Sequence, residues 1–148
     1  MSWTQLLANK DAQKHQTSEP ELNNMRELIA RDLADAGLPG LSADRRFATA
    51  YNAALQAANM AIACAGYRIT ARVGHHQVSL ESATLALGKS AEELTDYFEI
   101  CRRKRNQIDY TRTRLVTEGD AKEIVTKAKE FYELVETWIA KNHPKLVK

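Results

Sequence analysis

Apolar residues recur at three- and four-residue steps through most of this chain, the spacing that gathers them on one face of an α-helix. Trp3, Leu6 and Leu7 predict a short helical segment, followed by a polar connector, KDAQKHQTS, so residues 1–17 form a short N-terminal helical segment and connector ahead of the main helices. Ser18 reads as the cap of the next helix, with Pro20 in its first turn and Glu21 at the capping-box spacing. Leu22, Met25, Ile29, Leu33 and Ala36 give that helix one apolar face, and Gly37 with Pro39-Gly40 ends it. From Ser42 a long helix is predicted, its stripe being Phe47, Tyr51, Ala54, Ala58, Ile62, Ala65 and Ile69, with Gly66 and the loop around Gly74 ending it. Much of that stripe is alanine. Small side chains let neighbouring helices approach closely, which places this helix at the centre of a bundle. Asn52, Gln56 and Asn59 form a polar row on another of its faces.

Val78-Ser79 predict the staple and cap of a short helix that reaches Leu87 and stops at Gly88. Ser90, with Glu93 three residues on, opens a helix whose apolar face is Leu94, Tyr97, Phe98, Cys101 and Ile108. A break at Thr117-Glu118-Gly119 precedes the last helix. There Ala121, Ile124, Val125, Ala128, Phe131, Tyr132, Val135, Trp138 and Ile139 make the cleanest stripe, ended by Asn142-His143-Pro144. Alternating runs of strand length are missing from the pattern. The expectation is an all-α fold, an antiparallel up-and-down bundle of four to five helices in a single domain over residues 1–148.

Composition agrees. The 148 residues are 44% hydrophobic and 27% charged, with 6 Gly and 3 Pro, too little turn chemistry for a many-hairpin β fold. Cys64 and Cys101 have neither CxxC nor Cys/His spacing and fall on predicted buried stripes, as reduced thiols of a cytoplasmic protein would. No apolar run approaches the ~18 residues of a membrane span, and the first residues lack the pattern of a signal peptide, so a cytoplasmic location is expected. The net charge of +2 is nearly balanced, so any case for an anionic partner rests on local clustering.

That clustering occurs in RRKRNQIDY, residues 102–110. On an ideal helix Arg105 projects into the same arc as Leu94, Cys101 and Ile108, where a guanidinium is costly to bury unless it is paired. Asp109, four residues on, is one available partner. Arg102, Arg103 and Lys104 spread around the other sides and are expected to be solvated. Two readings stand: an arginine that pairs or snorkels at the bundle edge, or one that faces a second chain or an anionic ligand.

RNQIDY at 105–110, taken with AYNAALQAANMAI at 50–62, AGYR at 65–68, GHH at 74–76 and the aromatic last helix, resembles the HEPN domain superfamily over roughly residues 18–140. The likeness is to a bacterial HEPN branch with tyrosine in place of the catalytic histidine. It implies a small helical bundle that commonly forms homodimers. In the family's ribonucleases an arginine, four to six residues and a histidine act at a dimer cleft without metal. Arg105 matches the arginine and Asn106 the polar residue after it. With a four-residue gap the histidine position falls on Tyr110, whose ordinary pKa of about 10 suits proton exchange at neutral pH poorly. A six-residue gap gives Arg112. Residues five apart also project about 140° from one another, so Arg105 and Tyr110 share a site only through a distorted helix or a second subunit.

Other candidates are fewer. His75 and His76 stand in a predicted loop; adjacent histidines seldom chelate one metal, and neither a metal nor another cofactor is expected. One of them caps a helix end, or folds towards Arg105 as the missing proton-transfer group. Arg68 ends the alanine-rich helix beside Tyr67 and is a candidate for the same cleft. Two functions are compatible with these residues. The first is a non-catalytic or partner-dependent homodimeric module in which two copies of the Arg105 helix build a basic groove for RNA, a nucleotide or a nucleotidyltransferase-type partner protein. The second is a metal-independent endoribonuclease of toxin–antitoxin or defence type, with Arg105 stabilising the developing charge, Tyr110 or a histidine moving protons, and Arg102 and Arg103 holding the RNA backbone.

Overall fold

The helix that begins after Ser42 is the hub. In the computed structural model, which describes residues 1–108 and 116–148, it spans Ala43–Cys64 (α3). The other α-helices among the described residues are α1 (Trp3–Ala8), α2 (Glu19–Ala36), α4 (His75–Leu87), α5 (Glu92–Ile108) and α6 (Glu118–Asn142). Helices α2, α4, α5 and α6 all pack on α3. Ala50, Ala53, Ala54, Ala57, Ala58 and Ala61 are fully buried on several of its faces, so over much of the hub only methyl groups separate it from its neighbours, with Phe47, Tyr51, Met60 and Ile62 buried among them. The core is completed by Leu22 and Ile29 of α2, Leu80 of α4, Phe98 of α5, and Ile124, Phe131, Val135 and Ile139 of α6. The expected all-α bundle is the fold observed.

Local chemistry sets the helix ends, with several departures from expectation. Ser18 caps α2 by accepting from the Glu21 backbone N–H, but the Glu21 carboxylate does not complete a capping box; it turns to His15 and Thr17 instead. Helix α3 ends at Cys64, short of the Ile69 assigned to its stripe and just before the expected Gly66 stop. Gly66, at φ +99°, turns the chain into β2 (Tyr67–Ile69), which pairs antiparallel with β1 (Ala12–Lys14) in the polar connector. Ala12 faces Ile69, Gln13 faces Arg68 and Lys14 faces Tyr67, while Trp3 stacks on Tyr67 at 4.1 Å. Strands of three residues are too short to show a period. Helix α4 starts at His75, a full turn before the predicted Ser79 cap. Gly74, at φ +82°, occupies the N-cap position without a side-chain bond, and Ser79 is buried inside the helix.

The remaining boundaries match the pattern more closely. Ser90 lies in a short 3-10 turn, Lys89–Ala91, ahead of α5 rather than capping it. Thr117 caps α6 with a reciprocal capping box to Asp120, so the expected break is the helix's own start. Cys64 and Cys101 are free and buried, and burial pushes both thiols up to about 11. No helix among the described residues is long and apolar enough to cross a membrane.

One internal tie gave no periodic signal. Arg26 of α2 is 6% exposed, and its Nε and one terminal nitrogen each donate to a Glu136 carboxylate oxygen on α6, both at 2.9 Å. The same guanidinium donates to Asn23 at 2.8 Å and to the Leu146 carbonyl at 2.8 Å, while the Tyr132 hydroxyl donates to Glu136 at 2.7 Å. Although burial works to raise it, the bonds from Arg26 and Tyr132 hold the Glu136 carboxyl below its ordinary value. The pair fastens α2 and the C-terminal turn to α6.

Candidate functional site

Helix α5 carries the basic segment, and its contacts sort the arginines. Arg105 is half-buried with its Cζ 5.8 Å from the centre of the Tyr51 ring on α3, a cation–π arrangement. One counterpart for this arginine on an apolar stripe is therefore an aromatic face on the hub. Arg102 is not solvated, as its position on the helical wheel suggested. Its side chain is 18% exposed, and it grips Glu99, one turn back, through Nε at 3.1 Å and a terminal nitrogen at 2.6 Å. The Glu99 bond raises the Arg102 pKa further. Arg103 is exposed, with Glu99 at 3.9 Å, and Lys104 bonds Asp120 at the start of α6 at 3.3 Å. Asn106 is half-buried; Asp109, Tyr110 and Arg112 lie outside the described residues.

His76 joins this group from the first turn of α4. Its ring centre lies 6.1 Å from that of Tyr51 and 4.5 Å, edge-on, from that of His75. Burial, then the neighbouring His75, then the charges of Arg105 and Arg102 lower its pKa. The imidazole is neutral at pH 7 and able to accept a proton. Tyr51 itself is fully buried, and its hydroxyl finds no hydrogen-bond partner among the described residues. Burial pushes its pKa up to about 12, against the pull of Arg102 and Arg105, so it stays a phenol.

The two adjacent histidines face different ways. His75 donates from Nδ1 to the Arg72 carbonyl at 2.7 Å and lines a separate hollow of about 240 Å³ that also takes in Arg68 and Asn59. Arg68, exposed on β2, therefore belongs with His75 and not with the Arg105 group. On the other side of α5, the groove it forms with α4 is acidic: Glu81, Glu92, Asp96 and Glu99 line a space of about 460 Å³. A basic surface and an acidic one thus meet at Glu99. The described residues offer no grouping of three His, Cys, Asp or Glu side chains that could hold a metal ion.

Sequence periodicity treats Tyr51 as plain core and gives Glu99 no role. The spacing of Glu99 to Arg102 and Arg103, three and four residues, was the available signal for the second. Nothing in the order of residues announces that Tyr51 supports Arg105, since the contact joins two helices about fifty positions apart.

Residues 41–136 match the model of the SAV_6107-like HEPN family. That is more than half of the chain. The chain belongs to the HEPN family. The matched span takes in Tyr51, His76, Glu99, Arg102 and Arg105, so the whole cluster lies within the HEPN module. Comparison with curated proteins and with solved structures gave no match. HEPN domains often dimerise.

Proposed function

We propose that this HEPN protein is a non-catalytic, homodimeric binding module that presents Arg105 to the phosphate backbone of RNA. The observation that carries the reading is the seating of Arg105 on the Tyr51 ring beside the neutral His76. A ring against the guanidinium fixes the plane of its donors, and a fork held in place matches phosphate oxygens better than one that swings. Arg102 contributes less to phosphate binding, because Glu99 already occupies its fork. Two copies of α5 across a dimer would double a basic surface that is small in one.

The second reading, a metal-independent endoribonuclease, gains from His76, a neutral imidazole in the same cluster. Backbone cleavage needs one group to take a proton from the attacking hydroxyl and another to give one to the leaving oxygen. His76 suits the first task. Tyr51, with a pKa of about 12 and no exposure, does not suit the second. Binding is therefore the better-supported function.

The test is fluorescence anisotropy of single-stranded RNA across a salt series. Binding should weaken steeply with salt, and Arg105→Ala should flatten the log–log slope by about one unit, the signature of lost phosphate contacts. Absence of binding at low salt defeats the proposal. Cleavage that disappears in both Arg105→Ala and His76→Ala transfers preference to the nuclease. A monomer in sedimentation at micromolar concentration removes the dimer.

A further inference from the structure

The hollow on the His75 side of α4 is unrelated to the arginine cluster, and its walls come from several elements. Glu21 of α2 supplies a carboxylate. His15 Nε2 and the Thr17 hydroxyl both donate to its Oε1, at 2.7 and 2.8 Å, which leaves Oε2 as an open acceptor. The His15 and Thr17 bonds, with the charge of Arg68 acting in the same direction, hold this carboxyl below its ordinary range, so it is ionised at neutral pH. Arg68 brings a guanidinium to the rim from β2, with no carboxylate at ion-pair distance among the described residues.

The same hollow is lined by two polar groups that the fold leaves unused. Asn59 is half-buried and Ser79 is 2% exposed, and neither side chain makes a hydrogen bond among the described residues. Although Ser79 is buried as a residue, its hydroxyl opens onto the hollow, where a bound group can meet it. His75 adds a further polar atom: its Nδ1–H is spent on the Arg72 carbonyl, which leaves Nε2 for the hollow. Met25, Ile62 and Ala63 make the rest of the wall apolar. At about 240 Å³ the space is smaller than the usual drug-sized pocket and suits a molecule of roughly ten heavy atoms.

We propose that this hollow binds a free amino acid, its carboxylate on Arg68, its ammonium group on Glu21 Oε2, and its side chain against Met25, Ile62 and Ala63. A negative and a positive group at one small site favour a ligand that carries both charges, because each of its ends then meets its opposite. Asn59 and Ser79 then complete the hydrogen bonding of the two ligand termini.

Titration calorimetry with L-leucine, L-methionine and L-glutamine tests this, with isovalerate and isoamylamine as controls that keep the leucine skeleton but only one of its charges. At least one amino acid should bind with a Kd of about a millimolar or tighter. Both controls should be at least about tenfold weaker than leucine, and Arg68→Ala and Glu21→Gln should each weaken binding by about tenfold. Both variants alter side chains at the rim, outside the core, so loss of fold does not mimic loss of binding; a thermal melt of each confirms it. No binding by any of the three amino acids overturns the proposal. So does a control that binds as tightly as leucine, or an affinity that either variant leaves unchanged.

Discussion

A buried phenol under a guanidinium gives Tyr51 two separable parts. The ring supports Arg105, while the hydroxyl, fully buried, has no partner among the described residues. An unsatisfied buried hydroxyl costs about 1–3 kcal/mol relative to a paired one. Tyr51→Phe should therefore leave urea-unfolding stability unchanged or raise it by about 1 kcal/mol, with RNA affinity retained. Tyr51→Leu should lose stability and weaken RNA binding together, since it removes the aromatic face. His76 offers a second measurement. It is faced by Tyr51 of α3, by Arg102 and Arg105 of α5 and by its neighbour His75, and its folded pKa lies below the ordinary 6.5. The unfolded chain then binds the extra proton more readily, so the stabilising contribution is complete above pH 6.5 and is lost as pH falls through the folded value. His76→Gln should flatten that stretch of the stability–pH curve; an unaltered curve would refute the assignment.

At the scale of elements, one ion pair holds two helices that otherwise meet sparingly. Arg26 and Glu136 join α2 to α6 almost without solvent. Removing one partner leaves the other charged and buried, so Arg26→Ala should cost about 3–5 kcal/mol in denaturant unfolding. The Glu136 pKa is lowered, so its contribution is present above the ordinary 4.5 and disappears as pH drops through the lower folded value. Glu136→Gln should remove that acid-range dependence. This tie is illegible in the sequence because Arg26 and Glu136 are 110 positions apart and neither breaks a stripe. What can be read are the features written locally. The Ser18 cap, the alanine-rich hub and the last helix with its Asn142 end need only neighbours three or four residues away. The α4 start at Gly74 escapes because it uses backbone geometry instead of a capping side chain, and the β1–β2 pair because three residues carry no rhythm.

Over the whole molecule, the near-neutral charge conceals a division. Arg105 and the His76 imidazole occupy one side of α5, and four carboxylates line the α4–α5 groove on the other, where Arg103 reaches Glu99. The candidate residues that sequence places together are likewise divided by α4, with His76 turned to Arg105 and His75 to Arg68. Adjacent positions on a helix project about 100° apart, so one turn of backbone serves both surfaces. The family resemblance located this region because its short motifs persist in order along the chain; the partition within it depends on how α4 is rotated against the hub, which no local motif encodes.

The crowding of methyl groups along α3 also governs how the protein can change. With Ala50, Ala53, Ala54, Ala57, Ala58 and Ala61 all sealed against surrounding helices, there is no slack for a wider side chain. Substituting valine at any one of them should push a neighbouring helix outward and cost about 1–3 kcal/mol, readable as a lowered melting temperature. New specificities would accordingly arise on the outward faces of α4 and α5, while the axle they turn on stays narrow.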